Sequence, residues 1–85
     1  MGEYSNVKIG DIISLLKWLE RKNQSLIVIR GGKHQLLVKY SFWNRPFPIP
    51  AKHKEVSRFI VKDLMEKLVN SNICTKDEFD CHLHL

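Results

Sequence analysis

Eighty-five residues are enough for one small folded domain with little stability in reserve, and 44% apolar with 27% charged residues argues against a disordered chain. No apolar run approaches the roughly 20 residues of a membrane span and no signal-peptide pattern opens the chain, so a soluble cytoplasmic protein is expected. The formal net charge of +5 is concentrated: residues 21–62 hold ten Lys and Arg against Glu55 alone, while the flanks hold four Lys and eight acids, a basic middle suited to a polyanion.

Met1–Val7 shows no period and reads as a loose lead-in. From Ile9, the apolar positions Ile9, Ile12, Ile13, Leu16 and Leu19 follow the i, i+3, i+4, i+7 spacing of one helical face and predict a helix from about residue 10 to 22. Asp11 suits its start as a cap and as a charge facing the positive end of the macrodipole. Trp18 reads as a core or edge residue. Asn23-Gln24-Ser25 ends the helix.

Leu26-Ile27-Val28-Ile29 is too short for a helix and rich in β-branching, so it predicts a strand. Gly31 and Gly32 permit the positive φ of a tight turn, which would pair this strand with a second over 35–41. Phe42-Trp43-Asn44-Arg45 reads as the tip of another hairpin. Phe47-Pro48-Ile49-Pro50 is then a third strand, confined by its prolines to a sheet edge.

Lys52-His53-Lys54 leads into the second long helix, where Val56, Phe59, Ile60, Leu64 and Leu68 share a face that Val61, Met65 and Val69 widen. Asn70-Ser71-Asn72 stops it. Thr75 and Glu78 form a capping box that opens a short last helix, which Phe79 and Leu83 pack down. The order α-β-β-β-α predicts an α+β fold in one domain over 1–85. Its three-stranded antiparallel sheet carries both long helices on one face, the layout of a double-stranded-RNA-binding domain, with a short extra C-terminal helix.

His34 stands beside the Gly-Gly turn at the mouth of a strand, between Arg30, Lys33 and Lys39. An exposed imidazole among cations suits acid–base work on a phosphodiester, and equally suits phosphate binding alone. Lys52, His53 and Lys54 at the expected helix start suit a phosphate, and Lys33, Lys39 and Arg45 would extend the track along the sheet. Phe42 and Trp43 either stack bases or fold back onto the core, and packing is the expectation for both. Cys74 and Cys81 read as reduced thiols. Cys81-His82-Leu83-His84 lacks the second ligand pair of a closed zinc site, so no metal is expected there.

Gly-Gly-Lys-His-Gln ahead of a strand, followed by Phe-Pro-Ile-Pro-Ala-Lys-His-Lys-Glu-Val leading into an amphipathic helix, resembles the HicA family of toxins over roughly residues 9–80. These are small messenger-RNA interferases of prokaryotic toxin–antitoxin pairs. The resemblance implies a fold like that of double-stranded-RNA-binding domains and RNA cleavage without metal or other cofactor. It also implies a cognate HicB-like antitoxin that covers the His34 face. His34 matches the family's catalytic histidine, and Lys33, Lys39, Arg45, Lys52, His53 and Lys54 would hold RNA. Lys33 stands where the family usually has serine, Gln35 where many members have a second histidine, and Lys52 lengthens the gap to His53 by one residue. Read without the resemblance, the residues equally suit a non-catalytic RNA- or DNA-binding module, or a basic protein-interaction domain.

Overall fold

The computed structural model describes residues 4–31 and 35–83, Arg30 and Gly31 through their backbone. In chain order the elements are β1 (Val7–Lys8), α1 (Ile9–Lys22), β2 (Leu26–Gly31), β3 (Gln35–Tyr40), β4 (Phe47–Pro50), β5 (Glu55–Val56), α2 (Arg58–Asn70) and α3 (Lys76–His82). The described residues form an α+β fold with three helices and a three-stranded antiparallel sheet. None of these helices is long and apolar enough to cross a membrane.

α1 forms as its periodicity predicts, with Ile12, Leu15, Leu16 and Leu19 buried on one stripe and Ile9 and Ile13 packed at its margins. Asp11 lies in the first turn and Arg21 and Lys22 in the last, each opposing the charge of its helix end. The cap is not Asp11. Lys8 holds the N-cap position without a side-chain bond, and the N–H of Ile9 donates instead to the Lys54 carbonyl at 2.7 Å. At the other end the Asn23 N–H returns to the Leu19 carbonyl, and Asn23 Oδ1 accepts from the Ser25 N–H at 3.1 Å.

The sheet runs in the order β2-β3-β4, with Val28 opposite Val38 and Val38 opposite Phe47. The alternation of side chains sends Leu26, Leu36, Val38 and Ile49 into the core with the helix stripes, where each such side chain contributes about 1.5–3 kcal/mol. Ile27, Ile29, Gln35, Lys39, Pro48 and Pro50 are exposed on the opposite strand faces. Outward backbone donors of the two margins are occupied at Leu26 and Val28 and removed at Pro48 and Pro50. The outward N–H of Val28 donates to Glu20 Oε2 at 2.9 Å, and that of Leu26 to the Asn23 carbonyl at 3.2 Å. Since the Val28 N–H points away from β3, the alternation of bonded and non-bonded pairs leaves Pro48 and Pro50 with their nitrogens on the outward side of β4, where a missing N–H costs no ladder bond.

Of the expected lead-in, the described residues 4–7 are not loose. Val7 pairs with Val56 and Lys8 with Glu55, so β1 and β5 form a two-stranded ladder too short to leave a period in the sequence. Ahead of it Tyr4 is buried, its ring edge-on to Phe79 at 5.7 Å and its hydroxyl donating to Asp80 Oδ1 at 2.9 Å. Tyr4 holds a positive φ of 66°, a conformation unusual for a bulky residue and held here by burial of the ring.

α2 begins two residues after Val56, which belongs to β5. Ser57 caps it by accepting from the Phe59 N–H at 3.3 Å. Its buried stripe is Val61, Leu64, Met65 and Leu68, and Phe59, expected in the core, is 67% exposed. Asn72 in the left-handed region (φ 59°) ends the helix, with the Ile73 N–H bonded to the Leu68 carbonyl. The expected capping box opens α3: the Glu78 N–H donates to Thr75 Oγ1 at 3.1 Å and the Thr75 N–H to Glu78 Oε1 at 2.9 Å. That bond, joined by Lys22, holds the exposed Glu78 carboxyl below its usual range. Phe79 and Leu83 are buried as expected.

Candidate nucleic-acid interface

Strand register decides which of the candidate residues can act together. Gly31 pairs with Gln35, and Gln35 with Pro50, so the three lie in one row across β2, β3 and β4. The end of β2, the start of β3 and the end of β4 therefore meet at one end of the sheet. Two segments far apart in the chain, one around the first hairpin and one running from Phe47 to Lys54, converge there. His34 and Lys33 lie outside the described residues.

Lys52, His53 and Lys54 are all exposed in the loop that leaves Pro50. They do not form the start of α2, as the sequence suggests, because Glu55, Val56 and the Ser57 cap intervene. The loop is fixed from the other side: the Lys54 carbonyl takes the first N–H of α1, and Glu55 pairs with Lys8. A main-chain tether frees the side chains of 52–54 for a ligand.

Lys39 and Arg45 are exposed but not part of that cluster. Lys39 lies four residues along β3 from Gln35, about 13 Å away at strand spacing, and Arg45 lies in the β3–β4 turn at the opposite end of the sheet. Among the described residues, Lys39, Arg45, Lys52, Lys54, Arg58 and Lys62 carry no ion pair, whereas Lys22 pairs with Glu78 at 3.3 Å and Lys76 with Asp80 at 2.7 Å. Exposed cations without protein partners can exchange their counterions for phosphates.

Arg58 and Lys62 belong to the basic middle that the sequence shows, but nothing in the sequence singles them out, and Phe59 is expected in the core. Arg58 stacks over the exposed Phe59 ring at 5.1 Å in the first turn of α2, and Lys62 lies one turn further on. Ser57, recognised as the cap, would have moved this turn out of the core. The two hairpin-tip aromatics part company. Trp43 packs as expected, half-buried, with its Nε1–H donating to Ser71 Oγ at 2.7 Å and Lys67 lying 5.1 Å from its ring, whereas Phe42 is 80% exposed.

On the far side, α1 and α3 border two open clefts of about 530 and 450 Å³ that share Ser14, Trp18 and His82. The His82 ring stacks on Trp18 at 4.8 Å and Lys22 Nζ lies 4.3 Å from the same indole. Cys81 is exposed, His84 lies outside the described residues, and those described contain no cluster of three metal-ligating side chains. Burial, with Glu78 adding to it, pushes the Cys74 thiol up to about 11. A thiol-reactive chromophore at pH 8 is expected to label Cys81 within minutes and Cys74 only when denaturant is added. Equal labelling of both in the native protein would contradict the burial of Cys74.

Searches of protein-family models, curated proteins and solved structures return no match to this chain.

Proposed function

We propose that the chain is an RNA-binding domain of the double-stranded-RNA-binding layout that cleaves messenger RNA as the toxin of a HicA-like toxin–antitoxin pair. In this reading His34 is the general base, and a HicB-like antitoxin covers its face. Lys33, Lys52, His53 and Lys54 hold phosphates around the scissile bond, and Lys39 and Arg45 carry the strand along the sheet. The observation that supports it best is the row Gly31–Gln35–Pro50, because it joins at one end of the sheet the two halves of the resemblance, whose extremes lie 25 positions apart in sequence. Lys39, Arg45, Lys52, Lys54, Arg58 and Lys62, exposed and without ion pairs among the described residues, supply the polyanion-binding surface.

The replacement of the family's usual serine by Lys33, and of a second histidine by Gln35, favours one alternative, a non-catalytic module that binds RNA with the same surface. Induced expression separates the two. A toxin arrests growth and depletes transcripts, and His34→Ala abolishes both effects; a binding module does neither.

RNA affinity is expected to fall steeply with salt. If Lys52 and Lys54 each neutralise one phosphate of a single strand, replacing both with Ala should flatten the slope of log K against log salt by about 1.4. An unchanged slope in a titration of the double variant would remove this loop from the interface.

A further inference from the structure

A cleft of about 200 Å³ opens at the β3–β4 turn, at the end of the sheet away from the Gly31–Gln35–Pro50 row. It is lined by Lys39, Tyr40, Trp43, Asn44, Arg45 and Pro46. That is smaller than the roughly 300–1,000 Å³ of a site for a drug-sized ligand, and suits one flat ring system. Two of its walls are aromatic, Tyr40 and Trp43, with ring centroids 5.6 Å apart. Beside them Phe42, 80% exposed, leans on Tyr40 at 5.4 Å.

The turn that builds the cleft is held in place by the protein. The Trp43 indole donates to Ser71 beyond the end of α2, and the Trp43 backbone N–H donates to the Tyr40 carbonyl at 2.9 Å. The polar groups around it, by contrast, are uncommitted. Asn44, Arg45 and Lys39 are exposed and make no side-chain hydrogen bond or ion pair among the described residues. A rigid aromatic wall, a free amide able to donate and accept, and two free cations match the three parts of a nucleotide: π-face, base edge and phosphate.

We propose that this cleft is a subsite for one unpaired nucleotide of an RNA strand. The base stacks against the Tyr40 wall, which Phe42 extends beyond the lining of the cleft itself, Asn44 bonds to its edge, and Lys39 and Arg45 hold its phosphate. The proposal rests on the RNA-binding reading above and narrows it to single-stranded RNA, because a paired base in a duplex keeps its faces and pairing edge to itself. It does not depend on cleavage, since the cleft lies at the opposite end of the sheet from the cluster around Gln35 and Pro50.

The test uses neutral, exposed substitutions, Phe42→Ala and Asn44→Ala, which leave the fold and the charge unchanged. The probes are a fluorescein-labelled 2′-O-methyl RNA decamer without self-complementarity, which offers no 2′-hydroxyl for cleavage, and the duplex it forms with its complement. Anisotropy titrations of the full chain at several salt concentrations are expected to show roughly 5- to 150-fold weaker binding of the single strand by Phe42→Ala, the loss of one base stack. Asn44→Ala is expected to show a smaller loss, with the salt slope of each variant and its duplex affinity unchanged. Single-strand affinities equal to wild type, or equal losses on strand and duplex, would overturn the subsite and leave RNA binding intact. Displacement of the strand by free AMP or UMP at comparable concentration would assign the cleft to mononucleotides instead. Displacement by poly-glutamate with the same dependence on Phe42 would assign it to acidic protein, and either result overturns the proposal. Wild-type protein that binds neither probe at low salt would remove the RNA-binding reading itself.

Discussion

Purified protein is expected to cut single-stranded RNA in excess EDTA, and His34→Ala to do so about 10²–10⁴-fold more slowly, a loss of roughly 2.7–5.5 kcal/mol of transition-state stabilisation. The size follows from the chemistry. The 2′-oxygen attacks the adjacent phosphorus while the 5′-oxygen leaves, and the attacking hydroxyl must surrender its proton as it does so. A neutral imidazole can take that proton, and it is the side chain whose ordinary pKa, about 6.5, suits such work at neutral pH. The products should carry a 2′,3′-cyclic phosphate or the 3′-phosphate derived from it, and a 2′-deoxy residue at the scissile position should block the cut. RNA affinity of His34→Ala should stay within a few-fold of wild type, because one neutral ring adds little to a surface with this many cations. Cleavage by His34→Ala at the wild-type rate would sink the mechanism.

Tyr4→Ala is expected to cost about 3–5 kcal/mol of stability, as large aromatic-to-alanine changes in cores do, out of the roughly 5–15 kcal/mol that a small domain has. The ring is buried and packs edge-on to the fully buried Phe79, and its hydroxyl reaches Asp80 across 76 positions of sequence. Removing it opens a cavity between Tyr4 and α3 and leaves β1 held to the β5 segment by its two-residue ladder, the Ile9–Lys54 bond and the buried Val7. At about 4–8 °C per kcal/mol for a domain of this size, the melting temperature should fall by at least about 12 °C. Tyr4→Phe keeps the ring and loses one hydrogen bond, so it should cost only about 0.5–1.5 kcal/mol. Urea melts of the two variants measure both figures. A Tyr4→Ala protein within about 1 kcal/mol of wild type would show that the first residues do not belong to the core.

These residues also mark the limit of what the sequence discloses. α1, the three sheet strands and α3 are legible because their determinants are local: a stripe of period 3.6, a run of β-branched residues between turn formers, and a Thr75–Glu78 box within one turn. β1 and β5 are not, since two residues carry no period and Val7 finds Val56 from 49 positions away. That one pairing displaces the reading of α2. With Val56 taken as helical, Val56, Phe59, Ile60 and Leu64 look like a buried stripe. With Val56 in a strand and Ser57 as the cap, Val61, Leu64, Met65 and Leu68 take the core and Phe59 faces solvent. The site behaves the same way. The basic character of 52–54 is plain in the sequence, but the loop's place, away from the start of α2, depends on the Lys54 carbonyl bonding Ile9, which no local pattern announces. Trp43 and Phe42 are neighbours of similar chemistry, and only the Ser71 hydroxyl, 28 positions on, tells them apart.

An outer strand reading Leu-Ile-Val-Ile is the kind of segment on which further strands accumulate when its edge is bare. Here the Glu20 carboxylate and the Asn23 carbonyl occupy the outward donors of Val28 and Leu26, and the opposite margin offers Pro48 and Pro50. The sheet therefore makes a poor template for its own growth, and two copies that meet margin to margin find few outward N–H groups to share. Association of this domain, with RNA, with a protein or with itself, then has to be written in side chains. An outer strand this rich in β-branched residues is in this way kept from templating its own addition.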